Sequence, residues 1–354
     1  MCGLGLNSRN EYMFKKALGF IRAFMDLGRV HGISTTASMA LIGALTSTGS
    51  LEWQSVLGII LVSCFAHTAP AAYMELNDVE LDSHILESSR KPLVCGILSK
   101  KDAKIFVIVG LILSFTLAVL FFHNFPMLVA LFLSAVWVMW YCSGFGKRMV
   151  FSYDFSFAVA YAFYGLFGAL AIGNPTVYTW IFMGCIALEG GMFAQWENGL
   201  KDVDADRGVG IRSFAAALNI SSGTTLTFFH PYFVYGLCIK IIFLILCFIA
   251  YLQFVSTYYF IFLLLYGIPS QIYIMWRFLT KHRRLDRRKT ILMDVPLSAI
   301  LGFSVVVGKV GIIPVILVIL FLIGGYLKGS LWEGGTEFKF MRYVRQTEIK
   351  GKKI

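Results

Sequence analysis

The chain has 354 residues, of which 58% are hydrophobic, 14% are charged and 32 are phenylalanine. This composition excludes a water-soluble domain and predicts a polytopic membrane protein. The net charge of +11 is explained by anionic lipid headgroups and orientation signals, since no aromatic-interleaved basic domain suited to nucleic acid is present. We therefore expect membrane lipids and no nucleic acid among its partners, and no protein partner is evident.

The N-terminal residues predict an amphipathic helix at the membrane interface. Apolar and basic side chains alternate at helical spacing between residues 10 and 28. No compact apolar core with a small-residue cleavage site precedes them, so we expect no cleaved signal peptide. We assign residues 1–28 to a cytoplasmic amphipathic segment. Its apolar side chains are Phe14, Leu18, Ile21 and Phe24, and its basic ones are Lys15, Lys16 and Arg22.

Long apolar runs separated by short polar loops fill the middle of the chain. Runs of roughly 17 to 25 residues match the length that a membrane-spanning helix needs. They are continuous and lack the alternation of a membrane β-barrel, so strands are excluded. Eight spans are predicted at about 32–47, 53–76, 102–122, 126–142, 152–173, 176–196, 227–251 and 255–277.

The last apolar block, residues 291–327, is too long for one untilted span. The sequence Gly308-Lys309-Val310-Gly311 interrupts it, which predicts two short helices. We expect nine spans, or ten if about 312–327 also crosses the membrane. Residues 29–327 then form the membrane domain, and residues 328–354 form a basic C-terminal tail.

The loops alternate in charge along the chain. Loops after spans two, four, six and eight carry Lys and Arg, whereas the loops between them carry none. By the positive-inside rule, the N-terminus and the charged loops face the cytoplasm. These loops are 77–101, 143–150, 197–213 and 281–289.

Two of these loops concentrate carboxylates just past the end of an apolar span. Asp78 and Asp82 lie four residues apart, and so do Asp202 and Asp206. Residues four apart on a helix project from nearly the same face, so each pair can share a cation. Because the predicted topology puts both pairs on one membrane face, we expect a single divalent-metal site that binds a diphosphate.

Magnesium prefers carboxylate and phosphate oxygens, which makes four aspartates and a diphosphate a natural coordination set. Asn77 is an additional amide ligand or an orienting group. Glu80 and Asp204 lie on the far side of each helix, and we expect them either to support the metal ligands from outside or to face solvent. Basic side chains must neutralise the remaining diphosphate oxygens, and the candidates are Arg29, Arg90, Lys91, Lys147, Lys201 and Arg212.

These motifs resemble the two signatures of the UbiA family of intramembrane prenyltransferases. The first is Asn77-Asp78-x-x-x-Asp82 followed by Arg90-Lys91-Pro92-Leu93-x-x-Gly96-x-x-Ser99. The second is Lys201-Asp202-x-x-x-Asp206-Arg207-x-x-Gly210-x-Arg212-Ser213. Tyr141 and the Lys147-Arg148 pair lie where that family has a Tyr and a Lys after span four. The resemblance covers roughly residues 25 to 308.

The resemblance implies an all-α polytopic membrane bundle of about nine, or ten, transmembrane helices around a central cavity closed by two cytoplasmic caps. It implies Mg²⁺-dependent transfer of a prenyl chain from its diphosphate to a lipophilic acceptor within the membrane. It also adds Tyr141 to the diphosphate-binding set. The metal ligands that it implies are Asp78, Asp82, Asp202 and Asp206.

The prenyl cation formed in such a reaction needs a dry wall rich in π electrons. Aromatic side chains on spans near the motifs can supply it, although ordinary packing is the alternative role for each. They are Tyr73, Phe157, Tyr161, Tyr164 and Trp196. Glu189, Lys240 and His67 lie inside spans, where ionisable groups are costly and often functional. None of the three is identifiable from sequence as a general base.

The identity of the acceptor stays open. An aromatic quinone precursor is the predicted class, and a glycerol lipid is an alternative at the same site. Cyclisation of the prenyl cation without an acceptor is a further alternative. From a different class, a transporter or lipid-binding protein would carry its acids in the middle of broken helices, whereas these aspartates follow helix ends.

Overall fold

The computed structural model describes residues 19–83, 91–208, 210–221, 224–254, 256–281 and 284–325. All regular structure in these ranges is helical, so the predicted all-α class is confirmed there. The helices are α1 (19–27), α2 (Ile33–Leu45), α3 (Trp53–Ser83), α4 (Lys100–Phe122), α5 (Phe125–Cys142), α6 (Val150–Ile172), α7 (Val177–Ile186), α8 (Ala194–Gly208), α9 (Phe214–Ala217), α10 (Pro231–Phe254), α11 (Thr257–Phe262), α12 (Ile268–Thr280), α13 (Arg284–Ser304), α14 (Val307–Val310) and α15 (Ile312–Gly325).

Each of the eight predicted spans corresponds to a helix or a helical run. Within the described ranges, seven stretches are long and apolar enough to cross a membrane. Val30–Leu45 and Ile312–Gly325 are shorter apolar helices. The total of nine or ten spans stays a prediction.

The last apolar block is divided, but the break begins earlier than the predicted interruption. Helix α13 ends at Ser304, the short helix α14 contains Gly308, Lys309 and Val310, and α15 begins after Gly311. Gly311 has a φ of 78°, a conformation that glycine adopts without the steric cost of a side chain.

The predicted loop 281–289 is wrong in extent, because α13 already begins at Arg284. Side chains in the first turns of α13 form hydrogen bonds inside the bundle, and these contacts stabilise the helix from Arg284 onward. Arg287 donates a hydrogen bond of 2.6 Å to the main-chain oxygen of Thr224. Thr290 accepts one of 3.2 Å from Arg277.

The N-terminal helix α1 packs through small and aliphatic residues. Ala23 and Leu27 are buried, whereas Phe20, Ile21 and Met25 are exposed. The earlier part of the predicted amphipathic helix, with Phe14, Lys15, Lys16 and Leu18, lies outside the described residues. So does the basic tail 328–354, and the proposed segment boundaries stay predictions.

Small residues bring α2 and α6 into close contact. A Cβ atom on Gly43 would collide with the main chain of Gly165, and one on Gly168 would collide with the main chain of Ala40. Such small-residue crossings are typical of membrane helices, where close packing replaces the hydrophobic effect between helices. The contact sets the spacing of two helices that line the central cavity.

Helices α7 and α8 form one continuous run that widens into π-helical turns at Ala187–Phe193. Such wide turns occur frequently at functional sites. Gly191 in this segment lies directly against the backbone of Ala158 on α6, where a larger residue would collide. The neighbouring Glu189 and Gly190 line the cavity.

Candidate active site

A cavity of about 450 Å³ lies inside the bundle, between α2, α3, α5, α6, the π-helical segment, α8 and α13. This volume is within the usual range of small-molecule sites. Its aromatic lining comes mainly from α5 and α6, through Tyr141, Phe157, Tyr161 and Tyr164. Among the described lining residues, every carboxylate comes instead from the second half of the chain: Glu189, Glu197 and Asp294. The cavity therefore has an aromatic wall and an acidic wall.

Helix α3 continues past the predicted end of span two and carries the first acidic motif on its last turns. The two carboxylate oxygens of Asp78 lie 2.5 and 2.7 Å from Nζ of Lys147. Asp82 lies 2.7 Å from Nζ of Lys91, which also lies 2.9 Å from Glu75. Each aspartate of the pair thus contacts a basic residue that the sequence also singled out.

Arg29 completes this group of charges and lines the cavity. Its Nη2 and Nε atoms lie 2.5 and 2.9 Å from Oε1 of Glu75. We call this group the mouth cluster. It consists of the acids Glu75, Asp78 and Asp82 and the bases Arg29, Lys91 and Lys147.

The backbone of Arg29 is held in an unusual conformation, with a φ of 45°. Its carbonyl oxygen lies 3.1 Å from Nε2 of His67, and Nδ1 of His67 lies 2.8 Å from Oγ1 of Thr36. A carbonyl can only accept, so Nε2 carries the proton and Thr36 donates to Nδ1. His67, suspected from sequence of facing the cavity, lines it and also fixes Arg29.

Three motif segments meet at Lys147. The main-chain N–H of Arg212, from the loop after α8, donates to the main-chain oxygen of Lys147 at 3.1 Å. The side-chain amide of Asn77 donates to the main-chain oxygen of Cys142 at 3.2 Å. Ile211 packs against Tyr141 and Cys142. The structure therefore brings the charged segments after spans two, four and six to the same end of the bundle.

The remaining residues predicted for the site are distributed as follows. Asp206 is buried on α8, whereas the side chain of Arg212 is exposed. Glu80 and Asp204 are exposed, as expected from their helix faces. Asp202 and Lys201 lie on α8, but their side chains lie outside the described residues, as does the whole of Arg90.

The donor set of the mouth cluster suits Mg²⁺. Within the described ranges, no three His, Cys, Asp or Glu side chains form a closed metal cage. Mg²⁺ seldom uses such a cage, because it binds through one or two carboxylates together with waters and substrate phosphates. Asp78 and Asp82, one helical turn apart on α3, supply such carboxylates beside two ammonium groups that suit phosphate oxygens.

The predicted aromatic wall is present in part. Phe157, Tyr161 and Tyr164 line the cavity, but Tyr73 and Trp196 do not. Trp196 instead stacks on Phe193 and Tyr232 inside a packed core, with ring centroids 4.9 and 5.1 Å away. Tyr141 lines the cavity and donates a hydrogen bond of 3.0 Å to Gln195 on α8.

A second group of charges lies deeper in the bundle, and we call it the deep cluster: Glu189, Lys240, Asp294 and Ser298. Nζ of Lys240 lies 2.7 Å from Glu189, 3.0 Å from Asp294 and 3.1 Å from Ser298. The Lys240 side chain is 2% exposed, and Glu189 and Asp294 are 9% and 5% exposed. Lys240 itself is not a lining residue, whereas its three partners line the cavity.

Sequence reasoning missed Glu75, Asp294, Ser298 and Gln195. The signal for Asp294 was present, since a carboxylate within an apolar block is costly unless it has a function or a partner. Glu75 also lies near the end of an apolar span, one turn before the acidic motif. Ser298 and Gln195 carry no comparable signal in one sequence.

The comparisons with known proteins agree with this architecture. The profile of the UbiA prenyltransferase family matches residues 34–295. No curated protein sequence matches the chain.

Several solved membrane proteins share the fold. A digeranylgeranylglyceryl phosphate synthase structure aligns with a TM-score of 0.65 at 18% identity, over 83% of this chain and 100% of that one. The apo structure of a UbiA homolog from Aeropyrum pernix K1 gives 0.61 at 16% identity, over 76% and 96%. A UbiA homolog from Archaeoglobus fulgidus, bound to GPP and Mg²⁺, gives 0.58 at 19% identity, over 80% and 99%. These likenesses show a shared fold, and the profile match covers most of the sequence, so the chain belongs to the UbiA prenyltransferase family.

Proposed function

We propose that this protein transfers a prenyl group from its diphosphate to a lipophilic acceptor within the membrane, in a reaction that requires Mg²⁺. The observation that carries the proposal is the meeting of three motif segments at Lys147, beside a cavity with an aromatic wall. The UbiA homologs from Archaeoglobus fulgidus that are bound to GPP or DMAPP with Mg²⁺ support it, because they share this fold.

In this proposal the aspartates hold the metal and the basic side chains hold the diphosphate. Bound Mg²⁺ would stabilise the negative charge that develops on the departing diphosphate. The metal ligands are Asp78, Asp82, Asp202 and Asp206, with Asn77 as a further ligand or orienting group. The diphosphate contacts are Arg29, Arg90, Lys91, Tyr141, Lys147, Lys201 and Arg212.

The protein contributes positioning and a preorganised electrostatic environment. Lys91 and Lys147 lie against the carboxylates of the metal-binding motif, so a diphosphate bound there meets both ammonium groups. Phe157, Tyr161 and Tyr164 offer ring faces to the apolar chain and to the allylic cation formed when the carbon–oxygen bond breaks. The mostly apolar lining of the cavity limits contact between water and that cation.

An aromatic quinone precursor is the acceptor class that we propose. The experiment supplies prenyl diphosphates and candidate acceptors to the purified protein and analyses the products by mass spectrometry. A prenylated aromatic product supports this class, whereas a prenylated glycerol lipid would replace it with the first alternative. A cyclised hydrocarbon formed without acceptor would identify a cyclase. No Mg²⁺-dependent release of pyrophosphate with any donor would contradict the enzyme.

We also propose that the motif segments face the cytoplasm, as the charge of the loops indicates. Ser83 and Arg207 are both exposed near the end of the bundle where these segments meet. Cysteines introduced at these two positions in a cysteine-free background should both react with an impermeant reagent from the cytoplasmic side only. Labelling from opposite sides would contradict both the orientation and the shared site.

A further inference from the structure

The deep cluster contains more carboxyl groups than basic groups. Glu189 and Asp294 carry two carboxyl groups, and Lys240 is the one base among the described residues that contacts them. All three side chains are at least nine-tenths buried. Charged groups at such a depth are expensive and generally serve a function.

The hydrogen bonds of the cluster leave one buried carboxylate oxygen without a donor in the part of the chain that the structure describes. The three protons of the Lys240 ammonium group are directed at Glu189, Asp294 and Ser298. Ser298 lies 2.9 Å from Oδ1 of Asp294, within hydrogen-bond distance of it. In contrast, Oε1 of Glu189 is buried and has no hydrogen-bond partner among the described residues. Leaving a buried charged oxygen without a donor costs free energy, and this oxygen belongs to a residue that lines the cavity.

The occupant that fits this oxygen is a hydrogen-bond donor without negative charge. Lys240 has no proton left for a ligand anion, and any anion that entered would face two carboxyl groups. An apolar prenyl chain would leave Oε1 unsatisfied, and the aromatic wall offers that chain a better surface. The cluster therefore suits the polar end of a second substrate.

We propose that Glu189 binds a hydroxyl group of the acceptor, and that the acceptor is consequently a neutral hydroxylated ring and not a carboxylate or phosphate ester. This proposal rests on the proposed function. Nine residues separate Glu189 from Asn198, which lines the cavity one turn before Asp202. That separation is at most about 13 Å along a helix, so Glu189 lies within a few helical turns of the second acidic motif, on the same cavity.

The test measures binding without prenyl diphosphate and without Mg²⁺, using the full-length protein in nanodiscs and isothermal titration calorimetry. The probes are methylhydroquinone, its dimethyl ether, and gentisate, in which a carboxylate replaces the methyl group. We expect methylhydroquinone to bind about tenfold more tightly than either of the others, since only it offers a hydroxyl donor without a negative charge. Glu189→Gln should remove that preference by weakening methylhydroquinone about tenfold.

Two further variants keep the test decisive. Asp154→Asn is the matched control, because Asp154 is a buried carboxylate on α6 that contacts Tyr235 and does not line the cavity. Asp294→Asn removes the surplus charge without touching Glu189, so gentisate should bind more tightly while methylhydroquinone is retained. It replaces Glu189→Gln if thermal unfolding shows that the latter does not fold.

The proposal is overturned if wild-type protein binds gentisate as tightly as methylhydroquinone, or if it binds none of the probes. An unchanged affinity for methylhydroquinone in folded Glu189→Gln protein would also overturn it. Because the assay contains no donor and no metal, its outcome is independent of pyrophosphate release. Failure of the transferase activity alone would therefore leave this binding site standing.

Discussion

The mouth cluster and the deep cluster are both built from carboxylates and amines, but they differ in charge balance and in exposure. The mouth cluster sets three acids against three bases at helix ends, and its Lys91 and Arg29 side chains are 30% and 39% exposed. The deep cluster sets two acids against one base in the middle of helices, where Lys240 is 2% exposed. The first is balanced and reachable from outside, whereas the second is unbalanced and enclosed.

This difference indicates different roles for similar side chains. Partly exposed ion pairs contribute little net stability, so Arg29 and Lys91 can exchange partners with a phosphate at small cost, whereas Glu75, Asp82 and Lys147 are less than a tenth exposed. A buried group of charges depends on every partner that it has, because an unpaired charge cannot turn to water. We therefore expect changes in the mouth cluster to affect activity and changes in the deep cluster to affect folding as well.

The largest effect is expected from Lys240→Met, which keeps the length of the side chain and removes its charge. Glu189 and Asp294 would then be buried without a counter-ion, which costs roughly 3 to 5 kcal/mol. Thermal unfolding of the purified variant should show a clear loss of stability relative to wild type.

The control combines Lys240→Met with Glu189→Gln and Asp294→Asn. This triple variant leaves no charge behind and should recover much of the lost stability, since neutral replacements of buried ion pairs are often tolerated. If Lys240→Met is as stable as wild type, the buried carboxyl groups of the deep cluster do not depend on Lys240 for stability, and the contrast with the mouth cluster fails.

The second effect concerns Asp78→Asn in the mouth cluster, which should retain folding and lose activity. Losing one electrostatic contact to the transition state typically costs about 3 to 4 kcal/mol, or about a hundred- to thousandfold in rate. The double variant with Asp202→Asn should lose much less than the product of the two single losses, because both residues act on one site. Mg²⁺-dependent release of pyrophosphate by monodisperse protein measures all three variants.

Glu80→Gln is the matched control for this prediction. Glu80 is an exposed carboxylate on the opposite face of the same helix. The activity of the Glu80→Gln variant should therefore stay close to that of wild type. Wild-type activity without added metal, or full activity of Asp78→Asn, would refute a metal–diphosphate site here.

The mouth cluster was largely predictable from sequence, and the deep cluster was not. Asp78 and Asp82 are four residues apart in a chain that is poor in charge, so their common helix face followed from helix geometry alone. The basic partner Lys147 followed from the family motif. Glu75 did not, because nothing in a single sequence says that a carboxylate one turn earlier contacts two of the bases.

The deep cluster joins Glu189, Lys240 and Asp294, and Lys240 lies 51 residues after Glu189 and 54 residues before Asp294 in sequence. Each is a lone ionisable residue in an apolar run, which signals a partner but does not identify it. The π-helical turns at Ala187–Phe193 are also not marked by any hydrophobic periodicity in the sequence, so they could not be predicted. Only the packing of the π-helical segment against α10 and α13 brings these side chains together.

A third prediction separates the two lysines of the mouth cluster from lysines that only orient the chain. Lys91→Ala or Lys147→Ala should raise the KM for the prenyl diphosphate about tenfold or more, since a hydrogen bond to a charged group is worth about 1.5 to 3 kcal/mol. The KM for the acceptor should change less. Steady-state kinetics with each substrate varied in turn distinguishes the two constants.

Lys104 provides the comparison, since it is exposed on α4 and contacts no member of the mouth cluster. Lys104→Ala should leave both constants unchanged. A donor KM that stays at the wild-type value in both mouth variants would reduce Lys91 and Lys147 to orientation signals.

The smallest effect is expected from Glu75→Gln. This variant tests the mouth cluster further, because Glu75 contacts two of its bases and is not one of the proposed metal ligands. Glu75 accepts from both Arg29 and Lys91, so its charge holds them toward the diphosphate. Both bases are partly exposed although Glu75 is 9% exposed, so we take the upper end of the range for exposed pairs, about 1 kcal/mol. We therefore expect the donor KM to rise about fivefold with kcat nearly unchanged, and the difference in KM to shrink at high salt, where exposed pairs are screened.

Glu52 is an exposed carboxylate just before the other end of α3, and the control variant Glu52→Gln should show neither change. A large fall in kcat for Glu75→Gln would instead mean that this carboxylate acts on the metal, and the proposed metal site would then have a fifth acidic ligand.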